Sequence, residues 1–319
     1  MSSVPFPNRM VFDESHPVRD AIQRFAGESA CRDHIAILDL REIDSGEKRF
    51  LRERNVITYE IEVSENSLVA IDNVEDYTIL VNEEDHFRIQ VIRPGLQLME
   101  AYRTADRVDT ELNRFVPYAF SEELGYLTAC TSNLGTALRV SVLVHLPVIT
   151  MKNRLSDLIP EEKKSAVEIK GTIGPSSKTL GGLYQLSNRI SLGLSEVDII
   201  ETVDEVLGRI MATEDALRDE LFTLSRLEIE DRIWRSLGIL LHARRLTYIE
   251  SMDHLSNIRL GVIMAVLKNM EVKGINDLMV NIQWAHLQRH YNLLFKSTNE
   301  CDEFRAEYIR KTLHQYEVQ

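Results

Sequence analysis

Asn82-Glu83-Glu84-Asp85-His86 places three carboxylates and an imidazole on consecutive positions, with the guanidinium of Arg88 just beyond. The block joins two β-prone runs, Tyr77 to Val81 and Phe87 to Arg93, and so reads as the connection between paired strands. Solvated turns favour Gly, Asn or Pro, and a block of like charge repels itself. Such a block suits the gripping of a strong cation. A guanidinium fits best, being planar, permanently charged and recognised bidentately by carboxylates. The plain alternative is an acidic surface loop. A second segment, Gly125 to Ser141, runs from a strand into a polar turn bearing Cys130, Thr131, Ser132 and Asn133, and returns through Arg139. Hydroxyl donors beside a thiol favour its charged form. Taken singly, Cys130 reads equally as a packing thiol, His86 as a strand-end cap, and Arg88 as an outward residue between Phe87 and Ile89. A third segment, Ile169 to Ser177, is a glycine-bearing loop after a strand and carries Lys170.

The elements that must position these segments are of mixed type. Runs 34–40, 56–63, 77–81, 87–93, 125–129 and 167–173 read as strands. Leu96, Leu98, Met99, Tyr102, Val108, Leu112 and Phe115 give a helical stripe over 95–115. Strands close together with helices inserted predict an α+β fold, an antiparallel β-sheet flanked by helices and covered on one face. Beyond Gly193 the pattern turns helical. Ser195-Glu196-Val197-Asp198 reads as an N-cap, with Asp in place of the usual Glu of a capping box. Val197, Ile200, Val203, Leu207 and Ile210 then recur at helical spacing, and helices continue to the end with interruptions at Gly261 and Gly274. A change of domain falls near Ala216 to Leu227, giving a catalytic-type domain over 1–220 and an all-α domain over 221–319.

Composition narrows the function classes. The 319 residues carry a net charge of −13 and 44% are hydrophobic, an ordinary globular balance on the acidic side. Nucleic-acid backbones demand a basic face, so a basic substrate or basic partner protein suits this chain better. Cys31, Cys130 and Cys301 show no metal-ligand spacing and no disulfide framework. The start, Met1 to Pro7, has no signal-peptide pattern. The longest apolar run, Val140 to Thr150, is interrupted by His145 and Pro147 and is too short to span a bilayer. A cytoplasmic protein with no membrane partner is expected. Neither a phosphate-cradling P-loop nor a strand-anchored dinucleotide fingerprint is present, so arginines would have to hold any nucleotide phosphates.

The blocks Asn82 to Gln90, Gly125 to Ser141 and Gln185 to Gly193, in this order, resemble the ATP:guanidino phosphotransferases, and among them the bacterial protein-arginine kinases. The resemblance covers nearly the whole chain. It implies a guanidino-kinase catalytic domain that transfers phosphate from ATP to protein arginine, with Mg2+ held largely by the ATP phosphates. Glu84 then matches the main catalytic carboxylate with Glu83 in support, and Cys130 the thiolate that aligns the guanidinium. Asp85 and Asn133 fall on the substrate side. Arg88, Arg139 and Lys170 would hold phosphate, with His86, Val140, Ser141 and Val142 lining the nucleotide pocket. The helical domain resembles one that dimerises and reads phosphoarginine through an Arg-Asp-x-x-Arg-Ala pattern, here Cys301-Asp302-Glu303-Phe304-Arg305-Ala306, which assigns that role to Asp302 and Arg305. The alternative for this stretch is an amphipathic helix with a solvated charged face.

Departures from the family pattern gather on nucleotide handling. The family's Ser-Ser-Arg-x-Arg-x-x-Arg segment is not found; Met1 to Met10 resembles only the stretch C-terminal to it, and an in-frame extension upstream would restore it. Asn55 stands for a histidine, Lys170 for an arginine, Pro175 for a substrate glutamate, Thr131 for a proline and Ala137 for a glycine. One arginine lost from a phosphoryl-transfer site can cost about 10³-fold in rate. The expectation is therefore a pseudokinase, weakly active or inactive, that acts by binding arginine-containing or phosphoarginine-containing proteins. The alternatives are an active protein-arginine kinase with an altered nucleotide site, and a structural partner of an active kinase or a Clp-type ATPase. A homodimer and contact with Clp-type protease machinery are further implications of the resemblance.

Overall fold

The computed structural model describes residues 4–9, 16–29, 34–62, 66–72, 74, 77–155, 158–172 and 179–316. The chain forms two compact units, Met1–Val140 with Asn188–Asp204, and Ser141–Ser187 with Glu205–Gln319. In the first, α1 (His16–Glu28) precedes β1 (Ile35–Asp39), α2 (Ser45–Glu53), α3 (Tyr59–Glu62), β2 (Leu68–Asp72), β3 (Tyr77–Val81), β4 (Phe87–Val91) and α4 (Leu98–Asn113). The four strands pair antiparallel in chain order. A small hairpin, β5 (Phe120–Ser121) and β6 (Gly125–Tyr126), comes next.

Both faces of the sheet are covered at its centre, which corrects the expectation of a single covered face. Leu68 and Ala70 of β2 and Tyr77, Ile79 and Val81 of β3 pack with Val18, Ile22 and Phe25 of α1 and Val108 and Leu112 of α4. Their neighbours Val69 and Leu80 point the other way, as strand periodicity requires, and meet Leu51, Ile57 and Ile61. The expected strand over 56–63 is likewise replaced. Residues 59–62 form α3 after a turn, with Val63 outside the described residues. Ile57 and Ile61 lie four apart and share one core, and Thr58 Oγ1 accepts the Ile61 N–H at 3.4 Å, so helical spacing and a cap outweigh β-branched content. Only Gly125–Tyr126 of the run 125–129 is strand. β2, central to the sheet, had no reading from sequence.

The second unit holds β7 (Ser141–His145), α5 (Pro147–Lys152), β8 (Val167–Gly171) and β9 (Leu183–Asn188), with strand order β7-β9-β8 and β7 antiparallel to β9. Helix α6 (Glu196–Leu224) opens on the expected cap: Asp198 N–H donates to Ser195 Oγ at 3.2 Å and Ser195 N–H to Asp198 Oδ2 at 3.1 Å. The helices α7 (Arg226–His242), α8 (Tyr248–Ile263), α9 (Val272–Asn281), α10 (Trp284–Tyr291) and α11 (Thr298–Leu313) complete the chain. The protein is thus α+β, with antiparallel sheets and a helical C-terminal part. No helix among the described residues is long and apolar enough to cross a membrane.

Polar contacts tie the helices of this unit to one another and to its sheet. Glu214 of α6 accepts the N–H groups of Val148 and Ile149 at 2.9 Å each, capping α5 where Leu146 supplies no side-chain cap. His145, at the end of β7, receives a hydrogen bond on Nδ1 from Arg259 Nη1 of α8, so its Nε2 carries the proton and donates to Ser256 Oγ at 2.7 Å. Burial first, and the Arg259 charge second, push its pKa down to about 3. An unfolded histidine takes up a proton near pH 6.5, whereas this one stays neutral. Stability is therefore lost as pH falls below about 6.5, by at most about 2 kcal/mol at pH 5. Denaturant titrations at about pH 7 and about pH 5 check this: His145→Gln should lose less stability between them than the native chain, and an equal loss would contradict the assignment.

Candidate active site

The acidic turn is fixed residue by residue. Val81 pairs with Phe87, and Asn82 N–H donates to His86 O at 3.0 Å, closing the connection between β3 and β4. Asn82 has φ 57°, a left-handed conformation that asparagine tolerates. It is held by Ser67 Oγ, which donates to its carbonyl at 2.9 Å, and by its own Nδ2, which donates to Asn66 O at 3.3 Å. Glu83 turns inward and accepts from Thr58 Oγ1 at 2.6 Å and from Arg88 Nη1 at 2.9 Å. Glu84 is exposed and, among the described residues, accepts a single hydrogen bond, from Asn133 Nδ2 at 3.2 Å. Asp85 is half-buried, and its Oδ1 accepts the Ala129 N–H at 2.6 Å. Burial raises its pKa, and the charges of Glu84 and Glu83 add to the rise against the pull of that N–H.

The cysteine loop is thereby brought onto the turn from sequence positions more than forty residues away, through Ala129 to Asp85 and Asn133 to Glu84. Cys130 Sγ shares a hydrogen bond with Ser132 Oγ at 3.0 Å, and Ser132 Oγ donates to Asn133 Oδ1 at 3.4 Å. A continuous polar chain thus runs from the thiol to the exposed Glu84 carboxylate. Glycines permit the loop's path: a Cβ on Gly125 would lie 2.3 Å from Gly135 O, and one on Gly135 would lie 2.5 Å from Ser191 O. The third sequence block serves as the support. Asn188 accepts the Val140 N–H at 2.7 Å and donates to the carbonyls of Leu138 and Ile190, while Ser191 Oγ donates to Leu134 O at 2.8 Å.

Pro7, Asn8, Asn66, Asn82, Glu83, Glu84 and Ala129 line a cleft of about 230 Å³. Its charged side chains are acids, which matches a cationic head group. Among the described residues no group of His, Cys, Asp and Glu could hold a metal ion by itself. The residues assigned to ATP take varied positions. Arg88 is engaged by Glu83, and Arg139 is exposed. Val140 is buried. In the second unit Ser141 Oγ accepts from Gln185 Nε2 at 3.0 Å, Val142 pairs with Leu186 in the sheet, and Lys170 Nζ donates to Glu168 at 2.8 Å. Guanidinium and ammonium donors suit a polyphosphate in kind. His86, expected beside the nucleotide, is only 4% exposed and lies under the N-terminal segment, with Nε2 donating to Pro5 O at 2.8 Å. Asn55 has φ 57° after α2, a conformation that favours asparagine. Pro175 lies outside the described residues.

Asp302 and Arg305 form an internal clasp. Arg305 is 3% exposed; it donates to Ile282 O and Leu246 O at 2.9 Å each, to Asp302, and to Cys301 Sγ. In this arrangement the pair stitches α11 to the segments before α8 and α10. Sequence reasoning missed Thr58, Asn188 and the cleft residues Pro7 and Asn8. Asn188 sat within a recognised block without a role, while Thr58 and Asn8 carry no local signal of their own.

Asp85→Asn keeps an acceptor for the Ala129 N–H and removes a charge repelled by its neighbours, so its Tm should hold or rise. Asp85→Ala strands that N–H and should cost about 1–3 kcal/mol in thermal melts. Ala137 has φ 54°, where a side chain is strained; Ala137→Gly should raise stability by roughly 0.5–1 kcal/mol in the same assay.

Comparison with known proteins fits this geometry. The family model for the ATP:guanido phosphotransferase C-terminal catalytic domain matches residues 17–217, and that for the protein-arginine kinase McsB C-terminal domain matches residues 226–319. The protein-arginine kinase of Clostridium acetobutylicum is 36% identical over 318 residues, 98% of this chain and 92% of its own. That of Bacillus subtilis is 33% identical over 316 residues, 98% of this chain and 86% of its own. Among solved structures, the substrate-free duplicated taurocyamine kinase of Schistosoma mansoni aligns at TM-score 0.59 and 22% identity, over 69% of this chain and 32% of that one. A lombricine kinase aligns at TM-score 0.59 and 21% identity, over 68% of this chain and 64% of that one. These two speak for the fold alone. With a catalytic-domain match over most of its length, a protein-arginine kinase C-terminal match over the rest, and full-length relatives above 30% identity, this chain belongs to the ATP:guanido phosphotransferase family, alongside the protein-arginine kinases.

Proposed function

We propose that this protein binds arginine side chains of other proteins in the acidic cleft, and that its phosphoryl transfer to them is slow, so that binding is its main action. The observation that carries this reading is the exposed Glu84 carboxylate held by Asn133 of the cysteine loop. Glu84 would orient the guanidinium and take its proton at a carboxylate oxygen, since a guanidinium nitrogen attacks well only as that proton leaves. Cys130 Sγ, linked through Ser132, would face the same cation from the opposite loop. Glu83 serves as a support that fixes Arg88, and Asp85 as the tether of the cysteine loop. ATP, with Mg2+ on its phosphates, supplies the transferred group when bound. Arg88 and Arg139 of the first unit are cations suited to hold it, and Lys170 is a cation of the second unit.

Slow transfer is expected from how those cations are engaged. Arg88 and Lys170 each hold a carboxylate, and Lys170 lacks the planar fork of an arginine. The Arg88 side chain is nevertheless 45% exposed, though its partner Glu83 is 5% exposed, and a guanidinium that keeps a solvent-facing side favours the second reading, an active protein-arginine kinase with an altered nucleotide site. A single experiment separates the two. The protein is incubated with γ-labelled ATP, Mg2+ and an arginine-rich protein, and binding of that protein is measured in parallel by calorimetry. The proposal expects measurable binding, label incorporation about 10³-fold below an active relative, and loss of both in Glu84→Ala. Incorporation equal to that of the relative supports the second reading. No binding by folded protein rejects the arginine site.

A further inference from the structure

Within the acidic turn Asn82 holds Asn66 and Ser67, Glu83 reaches Thr58 and Arg88, Glu84 and Asp85 both reach the cysteine loop, and His86 reaches the N-terminal strap. That strap enters the cleft directly, because Pro7 and Asn8 lie on its lining beside Glu83 and Glu84. Three contacts seat it. Val4 packs against the core shared by α1, the sheet and α4. The Pro5 carbonyl accepts from His86 Nε2 at 2.8 Å; a carbonyl only accepts, so the imidazole carries its proton there. The Phe6 ring stacks on the imidazole at 5.6 Å between centroids and 24° between planes. Arg9 N–H then closes a short 3-10 turn on Phe6 O at 2.8 Å, which aims Pro7 and Asn8 at the acids.

We propose that His86 is a positioning residue that pins the strap Val4 to Arg9 as one wall of the arginine cleft, so that the imidazole acts on the substrate side through the strap. The proposal rests on reading the cleft as an arginine site. Burial holds the ring neutral, which keeps the contact with Pro5 and Phe6 free of a desolvated charge. Without the strap, Glu84 would face solvent on that side, and water would compete for the cation that the carboxylates hold. Pro7 and Asn8 contribute to the lining of this cleft of about 230 Å³.

The test compares the full chain with His86→Ala and with His86→Gln, which keeps a side-chain donor for the Pro5 carbonyl but lacks the ring. Trypsin cleavage after Arg9 reports release of the strap, cleavage at other sites reports general loosening, and calorimetry with N-acetyl-arginine amide reports the cleft. His86→Ala should be cut after Arg9 about tenfold faster with other sites unchanged, and should bind the amide about tenfold more weakly. His86→Gln should fall between it and the native chain on both readouts. A strap that stays protected, cleavage that rises everywhere together, or unchanged amide affinity once the strap is released would each overturn the proposal. If the native chain binds no N-acetyl-arginine amide, the arginine reading falls and the wall with it, while cleavage after Arg9 still decides whether His86 is the pin.

Discussion

Adjacent carboxylates repel one another, and the site depends on how that repulsion is met. Glu83, Glu84 and Asp85 are drawn toward different neighbours: a threonine and an arginine, an asparagine amide, and a backbone N–H. These hydrogen bonds compensate the charges and at the same time fetch other pieces of chain. The loop before α3, the cysteine loop and strand β4 are all gathered by the turn that needs them. The electrostatic difficulty is thus also the organising force, because a carboxylate partly removed from water must find donors in the protein.

The same principle separates structural from chemical roles among identical groups. Glu83 is 5% exposed at its side chain and has its oxygens engaged, whereas Glu84 is exposed with one hydrogen bond. Asp85 sits between them, raised in pKa by burial and by both neighbours. Of the three acids in a row Glu84 is thus left exposed, while Glu83 and Asp85 are engaged with the chain around it. A parallel division holds for the cations: Arg88 and Lys170 neutralise local acids.

Legibility tracked the range of the interaction. The paired strands around the acidic turn, the helix over 98–113 and the Ser195 cap rest on contacts within a few residues, and local pattern showed them. The run 56–63 misled because its β-branched residues outnumbered the helical spacing of Ile57 and Ile61, whose shared core is supplied by Leu51, Val69 and Leu80. β2 escaped notice because its alternate residues enter two cores, so it shows no alternation of apolar and polar. For Asp302 and Arg305 the resemblance implied a phosphoarginine-reading role, and the alternative was a solvated charged face. Carbonyls of Leu246 and Ile282, contributed by distant turns, instead enclose the arginine.

The sequence by itself determined the chemistry on offer: an acidic turn, a thiol among hydroxyls, arginines nearby, and glycines where backbones must touch. Residue type and local spacing suffice for that, since charge, nucleophilicity and turn preference belong to the residues themselves. Only the tertiary structure decided which acid stays open, which asparagine steadies it, and that Pro5 and Phe6 meet the imidazole of His86, far along the chain. Those outcomes depend on burial and on partners delivered across the fold, and neither is a property of any short stretch of chain.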